Sequence, residues 1–419
     1  MATAMGLSVR GAANVDAILP RISEAVEERA KKENTNIDLG TSENWLIREE
    51  LIALSKDAHL SYPDGFGGDS SLMEALADFF NRYFKPVLPV VPTHLATAPG
   101  AAASLDALLY NICQPMDGVL VPGPFWNGFD WLFTVRSGVQ PVTVNVDNLE
   151  ETFTAGLIPK LEAAYKHSEN PIKALVFTNP HNPFGQCYPR SVIEECIKFC
   201  DKHKIHFVSD EVYAVSELDN PSSTSPVPFI SALAIDAASL GCDPSRVHVI
   251  WSISKDFGSS GFRMGCCVTQ HNRAMQVGVA LAANTQVSSL TAIFTTALLN
   301  SPKLPSLLEI NASRLGDAYN TAKSVFDRLG LRYIPVSHGP FIFVRIAPDA
   351  TSWEEESLAI SSCKEMGVVL SPGKAYHIVE KEKGWARLTF AIKNDQLEEA
   401  LRRLEAGLAL FHKRRDLKN

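Results

Sequence analysis

Three short stretches of this 419-residue chain carry side chains able to do chemistry, and each follows or contains the end of an apolar, β-rich run. The most specific is Ser252-Ile253-Ser254-Lys255-Asp256-Phe257-Gly258, followed by Gly261-Phe262-Arg263-Met264-Gly265. A lone lysine is ordinarily a solvated surface residue. This one follows a run fit for a buried strand, stands beside two hydroxyls and precedes an arginine set between glycines. An amine there can attack or move a proton, and a guanidinium can hold an anion. The second stretch, Ser209-Asp210-Glu211-Val212-Tyr213, offers a carboxylate and a phenol, although a helix cap by Ser209 or Asp210 is its plainer reading in isolation. The third, Asn179-Pro180-His181-Asn182-Pro183-Phe184-Gly185, is by composition a turn.

The elements that must position these stretches are legible in the surrounding pattern. From about residue 119 to residue 269, short apolar runs alternate with helix-like segments, the signature of a mostly parallel sheet. Strands are expected at 174–177, 205–208, 247–251 and 264–268, with an amphipathic helix at 189–203. The strand before each stretch would then deliver it to the carboxyl edge of the sheet, where open α/β sheets place their ligands. Residues 304–329 have helical spacing and enough length to link two domains, while 341–346 and 387–392 read as strands of a smaller α+β unit. The expected division is a large domain at 63–309 and a small one built from 1–62 and 310–419. The Ser- and Pro-rich stretch 220–228 reads as a surface loop.

Composition narrows the partners. A chain of this size with 46% hydrophobic residues can bury a large core. Its net charge of -8 argues against nucleic acid or anionic membrane as a partner, because both need clustered positive charge. The basic run His412-Lys413-Arg414-Arg415 suits a solvated helix end. With no apolar run near the roughly eighteen residues that span a bilayer, a soluble, cytoplasmic protein is expected. The eight cysteines show no paired C-x-x-C spacing, so no metal is expected and they read as reduced, buried apolar side chains.

Taken together, the lysine motif and the two stretches before it resemble those of the class I and II aminotransferases among fold-type I pyridoxal-phosphate (PLP) enzymes, and the motifs recur in order over nearly the whole chain. The resemblance implies an α/β fold in which a large domain with a mostly parallel central sheet carries a small α+β domain. It implies pyridoxal 5'-phosphate as cofactor and an α-amino acid as substrate. Lys255 would hold the cofactor as a Schiff base and move the Cα proton, helped by burial beside cations that favours the neutral amine. Asp210 would face the pyridine nitrogen and keep it protonated, making the ring an electron sink. Asn182 and Tyr213 would hydrogen-bond the ring's phenolic oxygen. Gly100, Ala101 and Ala102, at a helix start, would cradle the phosphate together with Ser252 and Arg263. In Pro122-Gly123-Pro124-Phe125-Trp126 the indole takes the place of the ring that stacks on the cofactor, and in Gly384-Trp385-Ala386-Arg387-Leu388-Thr389-Phe390 the arginine takes that of the group gripping the α-carboxylate.

Within the family the chain looks most like the 1-aminocyclopropane-1-carboxylate (ACC) synthase branch and its fungal relatives. Four stretches carry that likeness: Leu39-Gly40-Thr41-Ser42-Glu43-Asn44, Asn127-Gly128-Phe129-Asp130, the lysine motif with Gly261-Phe262-Arg263, and Ser371-Pro372-Gly373. Glu43 is thereby a substrate-binding candidate. One departure stands out: where the family commonly donates a tyrosine across a dimer interface, in Tyr62-Pro63-Asp64-Gly65-Phe66-Gly67-Gly68, this chain has Gly65. The resemblance implies a homodimer. The expected reaction is γ-elimination, γ-substitution or cyclisation of S-adenosylmethionine or a similar amino acid, in specialised biosynthesis; the alternative is amino transfer to a 2-oxo acid. A non-catalytic relative is disfavoured by the joint presence of Lys255, Asp210, Asn182, Tyr213, Arg263 and Arg387.

Overall fold

The computed structural model describes residues 37–40, 46–47, 65–219, 226–283 and 286–417. In chain order the elements are β1 (Ile37–Asp38), α1 (Ser70–Tyr83), β2 (Leu95–Ala98), α2 (Ala101–Ile112), β3 (Gly118–Pro122), α3 (Gly128–Val135), β4 (Gln140–Val144), α4 (Leu157–His167), β5 (Ile172–Thr178), α5 (Arg190–Lys202), β6 (His206–Asp210) and β7 (Val247–Ser252). They continue with α6 (Ile253–Asp256), β8 (Gly265–Val268), α7 (Arg273–Ala282), α8 (Ser289–Leu299), α9 (Leu304–Leu329), β9 (Phe341–Arg345), α10 (Trp353–Glu365), β10 (Val368–Val369), β11 (Ser371–Pro372), β12 (Trp385–Thr389) and α11 (Asn394–Asp416).

Among the described residues the principal sheet has seven strands in the order β2-β8-β7-β6-β5-β3-β4. Only β8 runs against the rest, pairing antiparallel with β2 and β7. The other pairings are parallel, as expected from the alternating pattern. Strands such as β5 and β6 are buried along most of their length because helices cover both faces, which is why their sequences are apolar runs rather than alternations. Helix α5 shows how those faces are covered. It buries Val192, Ile193, Cys196, Ile197 and Cys200 at helical spacing, and turns Glu195 and Lys198 outward as an ion pair. The polarity of the sheet brings the loops after β2, β3, β5, β6 and β7 to one edge.

A second cluster of buried apolar residues lies around a three-stranded antiparallel sheet, β11-β12-β9, with α9, α10 and α11 against it. The long helix α9 belongs to both clusters. Leu304 and Leu307 pack with the large sheet, whereas Leu315, Tyr319, Ala322 and Phe326 pack with the small one. It ends at Gly330, whose φ of 65° lets its N–H turn back to the Asp327 carbonyl.

Some expectations shift. The strand expected at 387–392 is found two residues earlier, because Trp385 pairs with Arg345 and the ladder ends where Thr389 meets Phe341. That shift places Arg387 in mid-strand. All eight cysteines are buried and none forms a disulfide. The basic run ends α11 as expected, with Arg414 paired to Glu365 at 2.8 Å. No described helix is long and apolar enough to cross a membrane. Of the loop expected at 220–228, residues 220–225 lie outside the described region, and 226–228 are exposed.

Candidate active site

Lys255 sits in the single turn α6, which begins where β7 ends. Ser252 caps it, its hydroxyl accepting from the Ser254 N–H at 3.2 Å. The turn is braced from below by Asp256, whose buried carboxylate accepts from the Trp251 indole at 2.8 Å, the Ser216 hydroxyl at 2.6 Å and the Val215 amide at 3.2 Å. Burial lifts the Asp256 carboxyl to about 7, with those donors opposing the rise. This brace was not foreseen: in sequence, Asp256 reads as one more polar residue of the motif.

Across from α6 begins α2. Its N-cap, Gly100, has φ of 95° and no side chain to satisfy the first-turn N–H groups, so these donors and the positive end of the helix dipole suit an anion. Arg263 stands beside this end, donating to the Pro99 carbonyl at 3.0 Å and the Ser260 carbonyl at 2.8 Å. The approach is so close that a Cβ on Gly100 would lie 2.3 Å from the guanidinium Nη2. Gly265 is equally constrained, since its Cβ would meet the Gly100 carbonyl carbon at 2.4 Å.

Asp210 ends β6, buried at the cavity wall, with one carboxylate oxygen lacking any hydrogen-bond partner. Burial raises its carboxyl to about 7, opposed by the Val212 amide and the Lys255 charge. An unpaired buried carboxylate oxygen is costly and suits a donor or cation from a ligand. Tyr213 is buried nearby, with Phe341 edge-on to its ring at 5.2 Å. Arg387, from β12, crosses from the small sheet. It donates to Asn182 Oδ1 at 3.0 Å and the Gly40 carbonyl at 2.8 Å, and lies over the Phe341 and Tyr376 rings at 4.9 and 5.3 Å. Its Nε is buried with no partner, a second group in want of a ligand.

These residues line one cavity of about 340 Å³, within the usual range for small-molecule sites. Ala101, Ala102, Trp126, Asn182 and Asp210 line it together with Tyr213, Ser252, Lys255, Arg263 and Arg387. Trp126 folds over its own loop, which requires Gly128, where a Cβ would lie 2.2 Å from the indole. Gly100 stands behind this wall. Glu43 lies outside the described residues. Gly40, Thr178, Ser254 and Ser260 also line the cavity, as does an apolar wall of Leu105, Phe129 and Leu132. Only position could have revealed these: Leu105 lies one turn along α2 from Ala101, and Thr178 directly precedes Asn179. At Gly65 a Cβ would meet the Gly68 carbonyl oxygen at 2.2 Å, so this backbone admits no phenol there.

An α/β sheet with an anion cradle, a lysine and a buried carboxylate with one unpartnered oxygen at its carboxyl edge defines a PLP-dependent enzyme of fold type I. The profile of the family "Aminotransferase class I and II" matches residues 32–404, and the chain belongs to that family. It is 56% identical over 411 residues to the "Probable aminotransferase aclI" of Aspergillus oryzae, covering 96% of this chain and 98% of that one. It is 36% identical over 402 residues to the "Probable aminotransferase gliI" of Aspergillus fumigatus, covering 90% of each. It is 30% identical to the bovine "1-aminocyclopropane-1-carboxylate synthase-like protein 1", covering 89% of this chain and 76% of that one. In fold it matches a Thermus thermophilus aspartate aminotransferase with maleate, with a TM-score of 0.74, 21% identity and coverage of 96% and 99%.

Proposed function

We propose that this cavity removes the Cα proton of an α-amino acid and then expels or displaces a leaving group from its side chain, S-adenosylmethionine being the representative substrate. The observation that supports this best is the convergence of Lys255, Asp210 with its one unpartnered oxygen, and Arg387 on one cavity whose remaining wall is largely apolar. Lys255 would hold the cofactor through Nζ and, once substrate has replaced it there, take the proton. The α2 amides, Ser252 and Arg263 would hold the phosphate. Asp210 would accept a hydrogen bond from the protonated ring nitrogen, and Asn182 and Tyr213 would bond the phenolic oxygen. Bound in this way, PLP supplies a sink for the electron pair left at Cα. Arg387 would grip the α-carboxylate with its planar donors, and Trp126 would stack on the ring. Leu105, Phe129 and Leu132 exclude water from the reacting carbon.

The leaving-group reading draws on the four ACC-synthase-like stretches. Amino transfer to a 2-oxo acid is the second reading, favoured by the names of the fungal relatives. Incubation of the holoenzyme with S-adenosylmethionine separates them. The first reading expects methylthioadenosine without stoichiometric pyridoxamine phosphate, and turnover about ten- to a hundred-fold lower in Glu43→Gln with cofactor content retained. Pyridoxamine phosphate accumulating with ordinary amino acids, with no methylthioadenosine and no Glu43 effect, refutes it in favour of the second.

The cluster around the small sheet, which joins Leu39 to residues between 315 and 411, supports a large domain at 63–309 and a small one from 1–62 and 310–419, whereas Ile47 packs with the large-sheet cluster. Family habit supports a homodimer with sites near the interface, composition supports a cytoplasmic location, and Gly65 in place of the family's interface tyrosine supports a role in specialised biosynthesis.

A further inference from the structure

Two of the ACC-synthase-like stretches, 127–130 and 371–373, are brought close in space by a pair that no step above uses. His377 Nε2 lies 2.9 Å from an Asp130 carboxylate oxygen, across 247 positions of sequence. The His377 ring lies flat on Phe125, with centroids 4.3 Å apart and planes 18° apart. The Phe125 amide donates to the Tyr376 carbonyl at 2.9 Å. The short turn Gly373–Tyr376, with His377 behind it, is therefore fastened at three points to the loop after β3 and the first turn of α3. His377 keeps φ of 57°, in the left-handed region that favours glycine, so its side chain is carried at a position where the backbone does not prefer one. Each fastening adjoins the cavity. Trp126 follows Phe125, and the buried Tyr376 ring packs against the Arg387 guanidinium at 5.3 Å.

We infer that His377 and Asp130 are positioning residues that hold Tyr376, and through it Arg387, in register with the loop carrying Trp126. The inference rests on Arg387 as the carboxylate site. A histidine–carboxylate contact about one-third exposed on both sides contributes little when its partners are loose. Here the ring stack and the adjoining backbone bond already order His377, and Asp130 is carried on the first turn of α3, so the pair acts on a fixed geometry.

The test uses the holoenzyme and two reagents that attack its cofactor, followed by absorbance: aminooxyacetate, which bears a carboxylate, and hydroxylamine, which does not. His377→Ala and Asp130→Asn should each slow aminooxyacetate about three- to ten-fold while leaving the hydroxylamine rate and cofactor content unchanged. The double variant should be no worse than the worse single, and His377→Gln, which keeps an N–H donor, should recover part of the loss. An unchanged ratio of the two rates in both single variants, or equal slowing with both reagents, overturns the inference. A ratio that Arg387→Ala also leaves unchanged removes the carboxylate reading itself, and the inference with it.

Discussion

At the scale of single residues, Asp210 carries the sharpest consequence. Its carboxyl titrates near 7 in the folded, cofactor-free chain and about 4 in an unfolded one. Across that window the folded state keeps a proton that the unfolded state releases, so the contribution of Asp210 to stability falls as pH rises from about 4 to 7. The cofactor-free Asp210→Asn protein should therefore lose less stability between pH 5 and pH 8, by about 3 kcal/mol, in urea unfolding. Asp256 also titrates near 7 but is common to both proteins and cancels in the difference, whereas Glu211, which the Asp210 charge helps to raise, falls in the variant and moves the difference in the same direction. Equal losses would mean that Asp210 is not held in the dry setting seen here. Arg387→Lys should raise KM for the amino acid about ten- to a hundred-fold with cofactor content intact, because an ammonium cannot make the planar two-bond grip. An unchanged KM would place the carboxylate elsewhere.

At the scale of elements, the cradle depends on how closely α2 approaches Arg263. Gly100→Ala puts a methyl 2.3 Å from the guanidinium at a backbone angle that disfavours any side chain, so Arg263 must move off the helix end. Equilibrium dialysis should show about ten-fold or more weaker cofactor binding, and wild-type affinity in that variant would show that the first turn of α2 does not hold the phosphate. Elements with strong local signals were legible in sequence. Helix α9 falls at 304–329 as expected, with a proline in its first turn and Gly330 beyond its end. Strand β4 was not singled out because Pro141 breaks its pattern, a residue tolerated because β4 is the sheet's edge and pairs only with β3. The strand around Arg387 was placed late because Leu388, Phe390 and Ile392 continue the alternation after the ladder has ended. The lysine motif was legible because its residues are neighbours. That Arg387 bonds Asn182 across 205 positions, or His377 Asp130, follows from tertiary packing that local periodicity does not encode.

At the scale of the whole molecule, α9 packs into both apolar clusters while Arg387 reaches from the small sheet to the edge of the large one, so the site exists only when the two parts are docked. The proposed homodimer is checked by light scattering, which should give twice the chain mass; a fully active monomer would contradict it. The central claim is that Lys255 carries pyridoxal phosphate. Borohydride reduction of the purified holoenzyme, followed by peptide mass mapping, should fix one phosphopyridoxyl group per chain on Lys255 and none in Lys255→Ala. A label on another lysine, or no label on a protein shown to bind the cofactor, would contradict the account.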